Sequence, residues 1–136
     1  MKYSPTTSEL ARLDNMADEE LMQYAVTRIV ECEEVWSFGN DDGWLIRDVA
    51  EKSVITIWPY LQLAEQLSEQ TEYGQSTPIS TSLEQFISSV LKQCINTEII
   101  VELCPGAQRV GTFMTAAALL EVLDSLIETG EYFLEG

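Results

Sequence analysis

VWSFGNDDGWLIRDVAEKSVITIWP, residues 35–59, is the stretch that decides the fold. Its β-branched and aromatic residues are interrupted by the turn-rich segment Gly39–Gly43, and this pattern predicts a β-hairpin. A further strand, Val54–Trp58, ends at Pro59, because proline has no N–H to donate to a strand ladder. Proline also suits the first turn of a helix, so we predict a short helix over Pro59–Gln70.

Helical periodicity is found on both sides of this segment. Before it, apolar residues recur at helical spacing over Asp18–Glu31, and acids occupy the first turn. After it, the segment Thr71–Ser80 is predicted as a loop, and the hydroxyl of Thr81 three residues before Glu84 predicts a capping box. The helix that follows has a single apolar face, made of Leu83, Phe86, Ile87, Val90, Leu91, Cys94 and Ile95.

The remaining elements complete an α+β pattern. Ile99–Leu103 is almost continuously apolar, which favours a central strand. A short return strand is expected over Gln108–Gly111 and a last helix over Met114–Glu128. The apolar residues expected on the inward face of that helix are Leu119, Leu120, Leu123, Leu126 and Ile127. We therefore predict one α+β domain over residues 1–136, with helices packed against a mainly antiparallel sheet of four or five strands. Residues 1–14 are expected to be a frayed N-terminus and residues 131–136 a C-terminal tail.

The chain is strongly acidic. Among 136 residues, 23 are acidic and 7 are basic, which gives a net charge of −16, and there is no histidine. Phosphate binding needs clustered Lys and Arg, so the composition argues against nucleic acid as a partner. No apolar run approaches the roughly 20 residues that span a bilayer, so we expect no membrane association and a cytoplasmic location.

No pattern of reactive side chains is found. The cysteines Cys32, Cys94 and Cys104 share no Cys-x-x-Cys spacing, and Cys94 is expected in the core. The carboxylate pairs Glu33-Glu34 and Asp41-Asp42 are adjacent in sequence, and neighbours in a strand point to opposite faces. We therefore predict no catalytic residues, no metal site, no cofactor and no enzymatic activity.

The anchors Trp36-Ser37-Phe38, Asp42-Gly43-Trp44 and Trp58-Pro59 together resemble a bacterial family known only as a domain of unknown function. The resemblance runs from about Leu21 to Ile127. It implies a fold and no catalytic site, because these residues have structural roles: Trp36 and Trp44 are expected to pack across the hairpin, and Trp58-Pro59 to hold a corner. By size, acidity and architecture the chain is also similar to immunity proteins of polymorphic or contact-dependent toxin systems.

Two functional hypotheses follow from these observations. The first is a non-enzymatic immunity protein that binds a basic partner, a nuclease-type toxin, and covers its active site. The acids expected to bind that partner are Glu33, Glu34, Asp41 and Asp42 around the hairpin and Asp18, Glu19 and Glu20 as a second patch. The second hypothesis is a housekeeping adaptor or structural domain that is acidic for solubility and forms a homodimer through Tyr132, Phe133 and Leu134.

Overall fold

The computed structural model describes residues 12–13, 15–40, 43–65, 77–105 and 111–129. Within these ranges the chain order is α1 (Asp18–Cys32), β1 (Glu34–Asn40), β2 (Gly43–Trp44), β3 (Arg47–Val49), β4 (Lys52–Ile57), α2 (Leu61–Glu65), β5 (Thr77–Ser82), α3 (Leu83–Gln85), a π-helical segment (Phe86–Leu91), α4 (Lys92–Asn96), β6 (Ile100–Leu103), β7 (Thr112–Thr115) and α5 (Ala116–Thr129). The predicted α+β class is confirmed. The predicted tail, residues 131–136, and the turn residues Asp41 and Asp42 lie outside the described residues.

The strands form two sheets rather than one sheet of four or five strands. One has the order β2-β1-β5 and the other β3-β4-β6-β7. Pairing is mainly antiparallel, as predicted, with a parallel pair between β4 and β6. β1 pairs along its length with β5. Just after β4, Trp58 forms an isolated bridge with Trp36 of β1, with N–H···O bonds of 2.8 and 2.9 Å, and the Ser37 hydroxyl donates to the Thr56 carbonyl of β4 at 2.5 Å. These bonds hold the two sheets next to each other.

β5 corrects the prediction of a loop over Thr71–Ser80. Its hydroxyl residues and Pro78 do not resemble a strand, but Pro78 stands opposite Phe38 on an edge strand, where a missing N–H is tolerated. The helix cap is also one residue later than predicted. Ser82 rather than Thr81 is the N-cap, and its Oγ accepts the Gln85 N–H at 3.1 Å.

The last strand and helix are displaced from their predicted bounds. The antiparallel neighbour of β6 is Thr112–Thr115, which follows the predicted return strand, and residues 108–110 lie outside the described ranges. Met114 belongs to β7 opposite Val101, so α5 begins only at Ala116. Pairing with β6 has therefore overridden the helical periodicity at Met114.

The core is a single cluster between the helices and both sheets. Its fully buried members include Leu21, Tyr24 and Ile29 of α1, Val35 and Phe38 of β1, Ile55 and Ile57 of β4, Leu103 of β6, and Leu119 and Leu123 of α5. Trp58 is fully buried, donates its indole N–H to the Pro105 carbonyl at 2.9 Å and packs edge-on against Phe38 at 5.4 Å. Trp58 therefore connects the end of β4 with β1 and with Pro105 after β6.

The expected cross-hairpin pair of Trp36 and Trp44 is wrong. Trp44 stands opposite Gly39, whereas Trp36 stands opposite Ser80 on one side and Trp58 on the other. The hairpin register, fixed by Asn40 opposite Gly43, places the two tryptophans at different levels of the ladder.

Candidate functional site: an acidic groove

An open groove of about 850 Å³ lies where the end of α1, the start of α3 and the end of α5 meet. Four of its described lining residues are apolar: Val30, Leu83, Ile87 and Ile127. Three are carboxylates, namely Glu31, Glu33 and Glu84, and the remaining two are the serines Ser82 and Ser88. None of the described lining residues is basic. We call this feature the acidic groove.

Backbone hydrogen bonds join the two helix ends that form the groove. The Glu33 N–H donates to the Ile29 carbonyl at 2.8 Å and ends α1 with Glu33 in the left-handed region, at φ 54°. The Glu33 carbonyl in turn accepts the Leu83 N–H at 2.9 Å. Because Ser82 caps the helix that begins at Leu83, both edges of the groove are fixed by hydrogen bonds.

The π-helical segment supplies one wall. A π turn has i→i+5 hydrogen bonds, so Phe86 and Leu91 both point into the core and are fully buried. The predicted continuous apolar face is therefore divided: Leu83, Phe86, Leu91 and Cys94 are buried, whereas Ile87, Val90 and Ile95 are half-buried. Ile87 is turned toward the groove as a result.

Ile127 gives the groove an exposed apolar side chain. We predicted it on the inward face of the last helix, but 49% of its surface is exposed, whereas Leu123 and Leu126 on the same helix are buried. Leu126 is the last buried residue among the described positions of α5, and Ile127 after it lines the groove. Ile127 and the half-buried Ile87 therefore give the groove accessible apolar surface beside its carboxylates.

The three carboxylates of the acidic groove differ in their surroundings. Glu31 forms an ion pair with Arg28 at 3.1 Å. Glu84 lies in the first turn of α3, where the helix dipole favours a negative charge. Glu33 is exposed and, among the described residues, its carboxylate has no hydrogen-bond or ion-pair partner.

The structure separates the acids that the sequence grouped together. Glu33 lines the groove, but Glu34 accepts the Trp36 indole N–H at 2.7 Å, and Asp41 and Asp42 lie outside the described residues. The second patch, Asp18–Glu20, is exposed at the opposite end of α1, about 20 Å from Glu33 at 1.5 Å per residue. Sequence reasoning missed Glu31, Glu84 and Ile127 because Glu84 was interpreted only as a cap and Ile127 as core.

A second cavity, of about 500 Å³, lies between the β3–β4 turn, the end of α4 and the start of α5. Its charged lining is mixed, with Glu51 and Glu98 beside Lys52. Cys94 lines it as well, and burial raises the pKa of this thiol, which disfavours the reactive thiolate. The expected core position of Cys94 is confirmed, since 2% of it is exposed.

A buried polar cluster crosses the larger sheet. The Arg47 guanidinium donates to the Glu102 carboxylate and to the Thr56 hydroxyl, and the Thr56 hydroxyl donates to Glu102 at 3.0 Å. The Gly111 N–H donates to the other Glu102 oxygen at 3.0 Å. A Cβ at Gly111 would lie 2.5 Å from the Leu103 carbonyl oxygen, so only glycine allows this approach. The cluster therefore connects β3, β4 and β6 through Arg47, Thr56 and Glu102 and helps to hold them in place.

Within the described ranges, no three or more His, Cys, Asp or Glu side chains are grouped as a metal site would require. Among the helices formed by those residues, none combines the length and apolarity needed to cross a bilayer.

Comparison with known proteins gives a family but no activity. Residues 22–123 match the family described as "Protein of unknown function (DUF2750)". The matched range contains every described residue of the acidic groove except Ile127. No curated protein matches the chain.

Proposed function

Because the chain belongs to the DUF2750 family, whose description gives no activity, we propose a function from the groove itself. The protein is a non-enzymatic acidic binding protein: a cytoplasmic immunity protein that inhibits a basic toxin of nuclease type by covering its active site. The observation that carries this proposal is the acidic groove, with three carboxylates and no basic residue among its described lining, on a chain of net charge −16.

Electrostatics supports a basic partner in two ways. A field of one sign steers a cationic protein into contact and raises association rates by roughly 10- to 1,000-fold at low salt. A nuclease must bind phosphates through Lys and Arg, so carboxylates are suited to occupy those same cations. Binding by this surface would therefore exclude the nucleic-acid substrate.

The apolar floor supports a stable complex rather than a transient encounter. An exposed ion pair contributes only about 0–1 kcal/mol, so carboxylates alone do not hold a partner tightly. Interfaces derive most of their binding energy from a few desolvated anchors surrounded by polar residues. Ile127 and Ile87 supply accessible apolar surface for such an anchor in the same groove as the carboxylates.

The test is purification of partners from source-cell lysate with this protein as tagged bait, with the neighbouring gene co-expressed and elution along a salt gradient. We expect a basic protein that is released only at high salt. Its toxic or nuclease activity should fall to background at a one-to-one ratio with the bait.

The control is a bait in which Ile127→Asp and Ile87→Asp change the two accessible apolar residues of the groove's described lining, with folding checked by circular dichroism. Capture of a basic protein whose activity is not inhibited would replace the immunity role with that of an adaptor. Recovery of the bait alone, or of acidic proteins only, would contradict the proposal.

A further inference from the structure

We infer that Glu33 is the specificity-determining carboxylate of the acidic groove and that its occupant is a basic protein segment with one large apolar side chain. This inference rests on the proposed function and adds the chemistry of the segment that binds. The apolar side chain lies between Leu83, Ile87 and Ile127, and a neighbouring Lys or Arg pairs with Glu33.

The backbone at Glu33 is unfavourable for glutamate. Its φ of 54° lies in the left-handed region, where helix ends usually have glycine because a Cβ is strained there. Its carboxylate also lies at the C-terminal end of α1, where the helix dipole disfavours negative charge. The last turn of α1 has no basic residue to offset that charge. Folding alone therefore favours glycine at this position.

No contact within the described structure accounts for the glutamate side chain. Glu31 forms its ion pair with Arg28, and Glu84 stabilises the start of α3, so both have structural roles. Glu33 is exposed, lines the groove and makes no side-chain hydrogen bond or ion pair with described residues. Glu33 thus presents a carboxylate without a described partner in a groove whose described lining has no basic residue, and a cation outside the chain can pair with it.

The charge and shape of the groove define the segment that fits. The described lining includes Glu33 and Glu84 and no basic residue, which favours a cationic occupant. Ile127, with 49% of its surface exposed, offers an apolar contact that a large apolar side chain of the occupant can cover. An acidic or purely polar segment meets neither condition.

Glu98 provides a matched control. It also has left-handed backbone, at φ 59°, after a helix end, where the Glu98 N–H bonds the Ile95 carbonyl and the Ile99 N–H bonds the Cys94 carbonyl. It is exposed and lines the second cavity instead of the groove. Substitutions at the two sites thus change the same net charge and the same kind of backbone strain.

The experiment measures fluorescence anisotropy of a labelled peptide of alternating Arg and Ser with one central Leu, titrated with the full chain. Glu33→Gly should raise the melting temperature by about 3–5 °C and weaken peptide binding about five- to tenfold. Glu98→Gly should raise the melting temperature similarly and leave the dissociation constant within about twofold. Glu33→Gln, which removes the charge without adding glycine, should weaken binding without the thermal gain.

Peptide variants test the two halves of the inference. Replacing the central Leu by Ser, or the Arg residues by Glu, should abolish the difference between the wild type and Glu33→Gly. Equal binding by Glu33→Gly and Glu98→Gly, or no binding of the Arg-Leu peptide by the wild type, would overturn the inference.

The inference and the proposed function can fail separately. If an inhibited toxin is captured but its affinity is unchanged by Glu33→Gly, the inference fails and the proposed function stands. If the peptide result holds but no partner is inhibited, the groove chemistry stands and the immunity role fails.

Discussion

At the scale of single residues, Thr27 is a polar residue in the core whose hydroxyl is unsatisfied within the described ranges. It is fully buried in α1, and its hydroxyl has no hydrogen-bond partner in the described structure. We predict that Thr27→Val raises the free energy of unfolding by about 1 kcal/mol, because the desolvated hydroxyl is removed. Urea denaturation measures the change. Thr27→Ser, which keeps the hydroxyl and loses a methyl group, should lower the free energy of unfolding by about 1 kcal/mol. A lower free energy of unfolding for Thr27→Val would show that the Thr27 hydroxyl stabilises the fold.

The buried ion pair of Arg47 and Glu102 is the second prediction at this scale. Their side chains are 13% and 5% exposed, so removal of either partner leaves the other charge in a desolvated site. Arg47→Met should lower the free energy of unfolding by about 3–5 kcal/mol. The double variant Arg47→Met, Glu102→Leu should recover much of that loss in urea denaturation. A double variant as unstable as the sum of the two single variants would show that the residues are not coupled.

At the scale of elements, the β3–β4 hairpin is joined by Ala50 and Glu51, which have φ of 51° and 69° between the paired residues Val49 and Lys52. Two positive φ values in a two-residue loop define a type I′ turn, for which Asn-Gly is preferred. Ala50→Asn with Glu51→Gly should raise the free energy of unfolding by about 1–2 kcal/mol, since the strain is removed. Thermal denaturation is the measurement. Ala50→Pro, whose φ is fixed near −65°, should destabilise the hairpin, and similar effects of both variants would reject the turn type.

Prediction of the elements from sequence succeeded where local signals and tertiary pairing agree. The helix predicted over Asp18–Glu31 is observed over Asp18–Cys32, and the apolar strand before Cys104 is central as expected. β5 was missed because its pairing with β1, rather than its own hydrophobicity, makes it a strand. The π-helical segment was missed because i→i+5 bonding leaves no separate sequence pattern, and it shifts which apolar residues reach the core.

The difference between local signals and tertiary contacts also explains which parts of the acidic groove could be predicted from the sequence. Acidity is visible in composition, and Glu33 was one of seven acids predicted from the sequence to bind a partner. The joining of Glu33 to Leu83 by a hydrogen bond between residues fifty positions apart has no local signal. The exposure of Ile127 depends on where the core ends beneath α5, which helical periodicity does not reveal.

At the scale of the whole molecule, a net charge of −16 on 136 residues makes the folded state repel itself. We predict that NaCl added from about 10 to about 150 mM raises the melting temperature by a few degrees, because the screening length falls from about 30 to about 8 Å. Choline chloride should act equally if screening is the cause. A melting temperature that falls or stays constant in both salts would show that self-repulsion does not limit stability.

The same charge should govern binding, and the most direct test is the association rate of the captured basic protein at about 50 and about 500 mM NaCl. The proposed function predicts a fall of at least about tenfold at the higher salt, because steering by the acidic surface is screened. It also predicts a smaller fall for a variant with Glu33 and Glu84 changed to Gln. An association rate that is independent of salt, or equal salt dependence in that variant, would contradict binding through the acidic groove.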